Sequence, residues 1–166
     1  YKNDTFLLLW VEPPKVARTY RSCKHVAYLP NLCVNERQNS VVAALRFFNQ
    51  IDFYDLKGTY QRSFTYGKEP IVPLLKKNDT QVDVLGTTKC FIDIFGTDQY
   101  VYCLYDGSAD FSNLSTLLVL SWDGQLKKRL NFDRSIKRIA VDPSDRFLVA
   151  LALDESGALD VVKYSI

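Results

Sequence analysis

The side chains of this sequence that could perform acid and base chemistry are one histidine and several carboxylates. His25 is the only histidine, so a zinc site built from several histidines is excluded, and a serine–histidine–aspartate triad would depend on this one imidazole. Its neighbours, Lys24 and Val26, give no indication of such a role. We therefore interpret His25 as a surface residue and predict no catalytic residue of this kind.

Carboxylates lie close together in the sequence at two places. Asp106 is followed by Asp110, and Asp154 by Glu155. Two carboxyl groups about 5 to 10 Å apart across an open pocket could hydrolyse a glycosidic bond. Aspartate beside glycine and serine is more often a turn former, and both interpretations stay open. The spacing of a calcium loop is absent around Asp106, and we predict no metal site and no cofactor.

The charge distribution excludes one class of partner. Lysine and arginine number 21 against 19 aspartates and glutamates, and the two signs are mixed along the chain. A nucleic-acid-binding protein would normally carry a basic patch or stripe. No run of 18 apolar residues is present either, so we predict no nucleic-acid partner and no membrane span.

The four cysteines are spaced too widely for a Cys-x-x-Cys motif, and most lie among apolar residues. Buried free thiols are favoured, because cysteine behaves as a small hydrophobe, and disulfides remain possible. The cysteines are Cys23, Cys33, Cys90 and Cys103.

An internal repeat organises most of the chain. Apolar strands that end in a turn recur at residues 51–58, 117–124 and 159–164, and they align without a gap. Val119 and Val161 are 161 − 119 = 42 residues apart, within the roughly 40 to 45 residues of one four-stranded propeller blade. The separation between Phe53 and Val119 is longer than this period, and we attribute the additional length to one insertion at residues 67–88.

The strands around these repeats complete the predicted blades. Near-continuous apolar runs precede them and suit strands that are covered on both faces, and more polar strands follow the glycine turns, as suits a sheet edge. The sequence thus predicts an all-β fold, a partial β-propeller of three to three and a half four-stranded antiparallel blades, with a β-sandwich as the alternative. We assign residues 1–20 to the tail of a preceding blade, 21–66 to a blade, 67–88 to an inserted loop, 89–133 to a blade, and 134–166 to a blade without its outer strand.

The blade-forming phrases resemble a known family. Residues 39–58, 100–107, 121–124 and 139–142 are similar to the TolB-like six-bladed β-propeller proteins of Bacteroides-type bacteria, of which this chain would be about the C-terminal half. The resemblance covers the chain from about Tyr20 onward. It implies a periplasmic protein, often an outer-membrane-attached lipoprotein, with a binding role, although the chain carries no lipidation signal.

Long loops are the best candidates for a binding site. In such blades alternate connections turn at opposite ends of the sheets, and the long ones fall at one end, where binding residues usually sit. The predicted ligand-binding residues combine charge, aromatic area and amide groups. They are Arg46, Phe47, Phe48, Asn49, Tyr105, Asp106, Asp110, Asp154 and Glu155. For Phe47 and Phe48, a purely structural role in the core is the alternative.

Two functions remain possible from the sequence. The favoured one is a non-enzymatic binding module for a protein, a peptide or a glycan, and the other is a carbohydrate-active enzyme that uses loop carboxylates. Because a partial propeller leaves apolar blade faces bare, we also expect either a homodimer that completes the ring or a missing N-terminal half.

Overall fold

The computed structural model describes residues 23–77 and 80–166. Within these residues, eleven strands form three antiparallel sheets, and in each sheet the strands lie side by side in chain order. The first sheet contains β1 (Pro30–Asn35), β2 (Ser40–Leu45), β3 (Gln50–Tyr54) and β4 (Tyr60–Thr65); the second contains β5 (Lys89–Gly96), β6 (Tyr100–Ser108), β7 (Thr116–Ser121) and β8 (Leu126–Asn131); the third contains β9 (Ile136–Val141), β10 (Phe147–Leu153) and β11 (Leu159–Ser165).

These sheets confirm the predicted all-β class and the four-stranded meander between Cys90 and Phe132. One helical turn, α1 (Lys24–Ala27), precedes β1 within residues 21–66, which the sequence assigned to a blade. The predicted tail of a preceding blade, residues 1–20, lies outside the described residues. No helix in the described part is long and apolar enough to cross a membrane.

The polarity of each strand matches its position in the sheet. All six residues of β2 are buried, whereas β4 and β8 are exposed at five of six positions. The turns that lead into these outer strands contain Gly58 and Gly124, which have φ values of 80° and 81°. A side chain disfavours this left-handed backbone, so the glycines mark the point at which each third strand ends.

The first core lies between the first and second sheets. Its buried residues are Val42, Ala44, Ile51 and Phe53 from the first sheet, and Cys90, Phe91, Val101, Cys103, Leu118, Leu120 and Trp122 from the second. The Trp122 indole N–H donates a hydrogen bond to the carbonyl of Thr97 at 3.0 Å. This bond satisfies the only polar atom that the large side chain brings into the core.

The second core lies on the opposite face of the second sheet. Side chains alternate between the two faces of a strand, so Tyr102, Leu104, Leu117 and Val119 point away from the first core and pack on Ile136, Val141, Leu148, Ala150 and Ala152 of the third sheet. The second sheet is therefore covered on both faces, as the apolar runs in its middle strands predicted.

The first strands of the three sheets, β1, β5 and β9, lie next to one another. Each is an edge strand of its sheet, and side chains bind backbone groups of the neighbouring edge. The Asn31 amide donates to the carbonyl of Phe91 at 2.9 Å, and the Asp93 carboxylate accepts from the Ile139 amide at 2.8 Å. These bonds satisfy edge groups that no strand in the described part pairs with.

All four cysteines lie in the described part and are free thiols. Cys23, Cys90 and Cys103 are buried and Cys33 is partly buried. The preference for free thiols over disulfides is confirmed.

The bond between Asp93 and Ile139 yields a stability test. Asp93→Ala leaves the amide of Ile139 without an acceptor, which should lower the free energy of unfolding by about 1 to 3 kcal/mol. Asp93→Asn should lose less, because the amide oxygen can still accept. Urea unfolding measures both. Asp98→Ala is the control, since its ion pair with Arg37 is exposed and such pairs contribute about 0 to 1 kcal/mol. Equal losses in Asp93→Ala and Asp98→Ala would contradict the assigned role.

The buried thiols predict instability in alkali. Burial raises the pKa of Cys33 and Cys90 to about 12, whereas the pKa of a thiol in the unfolded chain is about 8.5. The unfolded chain therefore releases protons first, and the free energy of unfolding should fall as the pH rises from about 9 towards 12. Urea unfolding between pH 7 and 11 should show a shallower fall for Cys90→Val than for the unaltered chain. Identical slopes would show that Cys90 does not contribute.

Candidate functional site

The connections between strands differ at the two ends of the sheets. One end, the turn face, carries the short connections at residues 36–39, 55–59, 97–99, 122–125 and 142–146. The other end, the loop face, carries two longer connections at residues 66–88 and 109–115, and three connections as short as those of the turn face at residues 46–49, 132–135 and 154–158. Alternate connections of an antiparallel meander must lie at opposite ends, so all the predicted ligand-binding residues fall at or near the loop face.

Phe47 and Phe48 are buried rather than displayed on the loop face. The ring of Phe48 stacks on Tyr28 with centroids 4.9 Å apart, in a cluster with Ala27, Leu45 and Val82. Their prediction as ligand-binding residues is corrected, because burial removes their rings from any ligand at the surface. The alternative from the sequence, a purely structural role in the core, describes both Phe47 and Phe48.

Asn49 is also buried, and its side chain holds the inserted loop. Its amide nitrogen donates to the carbonyls of Tyr66 and Glu69, and its oxygen accepts from the amide of Ile71 at 2.8 Å. These bonds use both ends of the amide, which leaves Asn49 little capacity for a ligand. We correct its assignment from ligand binding to the support of residues 66–71.

Arg46 and Tyr105 lie where the first and second sheets meet. The carbonyl of Arg46 accepts from the Cys90 amide at 2.7 Å, which ties the two sheets together at the loop face. The ring of Tyr105 meets those of Tyr66 and Phe91 edge to face. Burial raises the pKa of Tyr105 to about 12, so its hydroxyl keeps its proton at neutral pH.

Asp106 lies near the end of β6 and Asp110 on the connection from β6 to β7, and the two carboxylates differ in burial. Asp106 is buried; one carboxylate oxygen accepts from the amide and hydroxyl of Ser108, and the other has no hydrogen-bond partner among the described residues. Asp110 is exposed and accepts from the Ser112 amide at 3.2 Å. Asp106 therefore shapes this loop from inside, and Asp110 remains accessible.

Two lysines hold the same loop around the ring of Phe111. The Lys89 ammonium is buried, donates to the carbonyls of Leu85 and Ala109, and lies 5.6 Å from the ring centroid. The Lys137 ammonium donates to the carbonyl of Phe111 at 3.1 Å and lies 5.2 Å from the same centroid. Both positions suit cation–π attraction. Phe111 has a φ of 62°, a strained value for a bulky residue, which these contacts stabilise.

A groove of about 760 Å³ opens beside this loop, between the second and third sheets. Its lining residues are Leu114, Asp133, Arg134, Ser135, Leu153, Asp154, Glu155 and Ser156. Ser135 joins the groove to the lysine-bound loop, because its hydroxyl donates to the carbonyl of Phe111 and accepts from the Lys137 ammonium at 2.9 Å. The groove thus contains Asp154 and Glu155 and is bordered, through Leu114, by the connection that carries Asp110. Arg46 belongs to the contact between the first and second sheets.

Two charged groups of the groove have partners in the third sheet. Arg134 forms an ion pair with Asp160 at 3.1 Å, and Asp133 accepts from the Tyr164 hydroxyl at 2.8 Å. Glu155 lies exposed at the rim. The groove therefore offers a carboxylate, serine hydroxyls and the apolar surface of Leu114, which is exposed.

Asp110 and Asp154 do not have the raised pKa of a general acid. Asp154 accepts three bonds from Ser156 and Ala158, and Asp110 accepts from Ser112. The Ser156 and Ser112 bonds hold the pKa of each carboxyl below its ordinary value. A general acid in glycoside hydrolysis requires a raised pKa, so the turn-forming interpretation describes these two residues. The described residues also contain no cluster of histidine, cysteine and carboxylate that could hold a metal ion.

The turn face has two smaller hollows. One of about 450 Å³ lies between the first two sheets, beside Arg62 and Trp122. The other, of about 480 Å³, is bounded by the turns after β1, β5 and β9 and includes the ion pair of Arg37 with Asp98. The loop-face groove is larger than either.

Sequence reasoning missed the residues that give the loop face its rigidity. Lys89 and Lys137 stand next to apolar strand residues, where a lysine is ordinarily a solvated side chain. The sequence around Phe111 does not distinguish it from other aromatic residues in loops. Their meeting depends on the packing of the third sheet against the second, which no local spacing signals.

The bonds of Lys137 predict its effect on loop order. Lys137→Met keeps an unbranched apolar side chain but removes the donor to Phe111 and Ser135, so amide hydrogen exchange in residues 109–115 should accelerate about tenfold, which corresponds to about 1.4 kcal/mol. Lys127→Met on the exposed strand β8 is the matched control and should leave exchange in this loop unchanged. Equal exchange in both variants would mean that the ammonium does not order the loop.

The comparisons with known proteins give information on the fold and none on the function. No protein-family model matches the chain, and no curated protein matches it. Among solved structures, it is similar to a member of the DUF4221 family from Bacteroides vulgatus, with a TM-score of 0.53 and 10% sequence identity. The alignment covers 84% of this chain and 46% of that one. At this identity the similarity shows the fold alone: the chain has the all-β fold of a Bacteroides protein and spans about half of that protein's length.

Proposed function

We propose that the chain is part of a six-bladed β-propeller like those of the TolB-like family, and that it is a non-enzymatic binding module. Three observations support the propeller assignment. The sheets are meanders stacked face to face, their first strands β1, β5 and β9 lie together, and the third strands of the last two sheets recur after 42 residues. A propeller has this arrangement, with one sheet for each blade.

The observation that carries the binding role is the groove of about 760 Å³ on the loop face. Its volume is in the range of ligand sites, which combine apolar surface with a few polar groups. Leu114 supplies apolar contact, Glu155 a negative charge, and Ser135 and Ser156 hydroxyl groups. This mixture suits a peptide segment, a protein loop or a glycan, which offer both donors and apolar surface.

The rigidity of the groove wall supports the same proposal. Asp154 fixes its turn by hydrogen bonds to Ser156 and Ala158, and Lys137 fixes Phe111 and Ser135. A preformed wall avoids the ordering cost of binding. The cellular location we propose, the periplasm or the outer membrane as a lipoprotein, rests on the family resemblance.

The test uses a glycan array and a random peptide library as probes, because the ligand class is part of the question. For any probe that binds, Leu114→Ala should weaken the affinity about fivefold to tenfold through loss of about 1 to 1.4 kcal/mol of apolar contact. Glu155→Ala should weaken binding of probes that present cations or hydroxyl groups. Calorimetry with the selected probe measures both.

Lys57→Ala, on the turn face, is the control and should bind as the unaltered chain does. Equal losses in Lys57→Ala and Leu114→Ala would overturn the groove as the site. Hydrolysis of a bound glycan would instead favour the carbohydrate-active enzyme.

A further inference from the structure

The groove on the loop face carries a local negative charge. Three of its lining residues, Asp133, Asp154 and Glu155, are carboxylates, and one, Arg134, is a cation. The Arg134 guanidinium already donates to the carboxylate of Asp160 at 3.1 Å. One guanidinium and four carboxylates give this region a charge of 1 − 4 = −3 at neutral pH, whereas the whole chain has a net charge of +2.

The hydrogen bonds that these carboxylates accept leave their charge in place. Asp133 accepts from the Tyr164 hydroxyl, and the Oδ1 atom of Asp154 accepts from the amide and hydroxyl of Ser156. All these donors are neutral. The bonds from Ser156 also hold the pKa of Asp154 below its ordinary value, so this group stays ionised at neutral pH. Glu155 is exposed, and its side chain has no hydrogen bond or ion pair within the described part of the chain.

The two lysines behind the groove wall do not offset this charge. The ammonium groups of Lys89 and Lys137 lie 5.6 Å and 5.2 Å from the ring centroid of Phe111. Two carboxylates, Asp106 and Asp110, belong to the same region, and their charges act on Lys137. Two ammonium groups and two carboxylates balance, so the negative charge of the groove is not compensated from this side.

Connections between described strands form the walls of the groove, and they offer aliphatic rather than aromatic surface. Leu114 is 62% exposed, and Leu153 lines the groove beside it. None of the described lining residues is aromatic. The flat face of a sugar packs most closely on an aromatic ring, and a quaternary ammonium group binds within a cage of such rings. The leucines instead suit the aliphatic side chain of a peptide.

We propose that the groove binds a peptide segment in which a lysine or an arginine lies next to an aliphatic residue. The cation lies against the carboxylates of Asp154 and Glu155, and the aliphatic side chain packs on Leu114. Complementary charge of this kind selects the partner and speeds its association, and it disfavours phosphopeptides and anionic glycans. The proposal rests on the binding role proposed for the groove and names the class of its ligand.

The first test selects peptides from a random library on the immobilised, unaltered chain, with a glycan array in parallel. Peptides that bind Leu114→Ala more weakly are assigned to the groove, and they should be enriched in lysine or arginine beside an aliphatic residue. Groove-binding peptides without this enrichment, or groove-binding glycans alone, would overturn the proposal and leave the binding role intact. If the binding of no probe depends on Leu114, both the binding role and the proposal fail.

The second test removes one charge at a time and measures the affinity of the tightest selected peptide by calorimetry. Glu155→Gln keeps the shape and the hydrogen-bonding capacity of the side chain, so it should weaken binding about twofold to fivefold, as expected for an exposed charge pair. Glu36→Gln is the matched control, because Glu36 is exposed on the turn face and the substitution changes the net charge equally. Equal losses in both variants would overturn the groove as the source of the attraction.

Arg134→Gln should have the opposite effect. It removes the one cation among the described lining residues and releases the carboxylate of Asp160, so the same peptide should bind about twofold to fivefold more tightly. A structural defect would weaken binding, so it does not explain a gain. Norleucine in place of the cationic residue of the peptide should abolish the gain, and a rise from about 0.05 M to about 0.5 M NaCl should reduce it. Unchanged or weaker binding to Arg134→Gln would overturn the proposal.

Discussion

The structure depends on covering both faces of the second sheet. Its middle strands carry large apolar side chains in both directions, so neither face tolerates water, and each must pack on another sheet. The first sheet covers one face and the third covers the other. This requirement sets the stacking order of the three sheets.

The inner strands join the stacked sheets with polar bonds. Asn31 and Asp93 bind backbone groups at the edges of the neighbouring sheets, where water or an additional strand would otherwise compete. These directional bonds fix how far one sheet can slide on the next, which apolar contact alone does not do. The packing of the third sheet on the second also brings the loop that contains Phe111 to the start of β9. The position of the groove wall therefore depends on the contacts between these two sheets.

Buried side chains support the loop face, and other, exposed side chains line its groove. The residues with the largest aromatic area, Phe47 and Phe48, are buried, and Asn49 binds backbone. Exposed groups such as Glu155 and Leu114 line the groove instead. Burial of Phe47 and Phe48 anchors the connection at residues 46–49, because both rings point inwards.

The sequence by itself determined the local structure of this protein. Period-two alternation, glycine turns and the 42-residue repeat located all eleven described strands, because strand formation and turn chemistry act over a few neighbouring residues. It also placed the predicted ligand-binding residues at or near one end of the sheets, the loop face. Tertiary structure alone decided which loop residues face solvent: Phe47 and Glu155 look equally suitable in the sequence, but one fills the core and the other lines a groove. Likewise, Lys89 and Lys137 meet at Phe111 only because two sheets pack together, and a contact between residues so far apart in the chain leaves no local pattern to read.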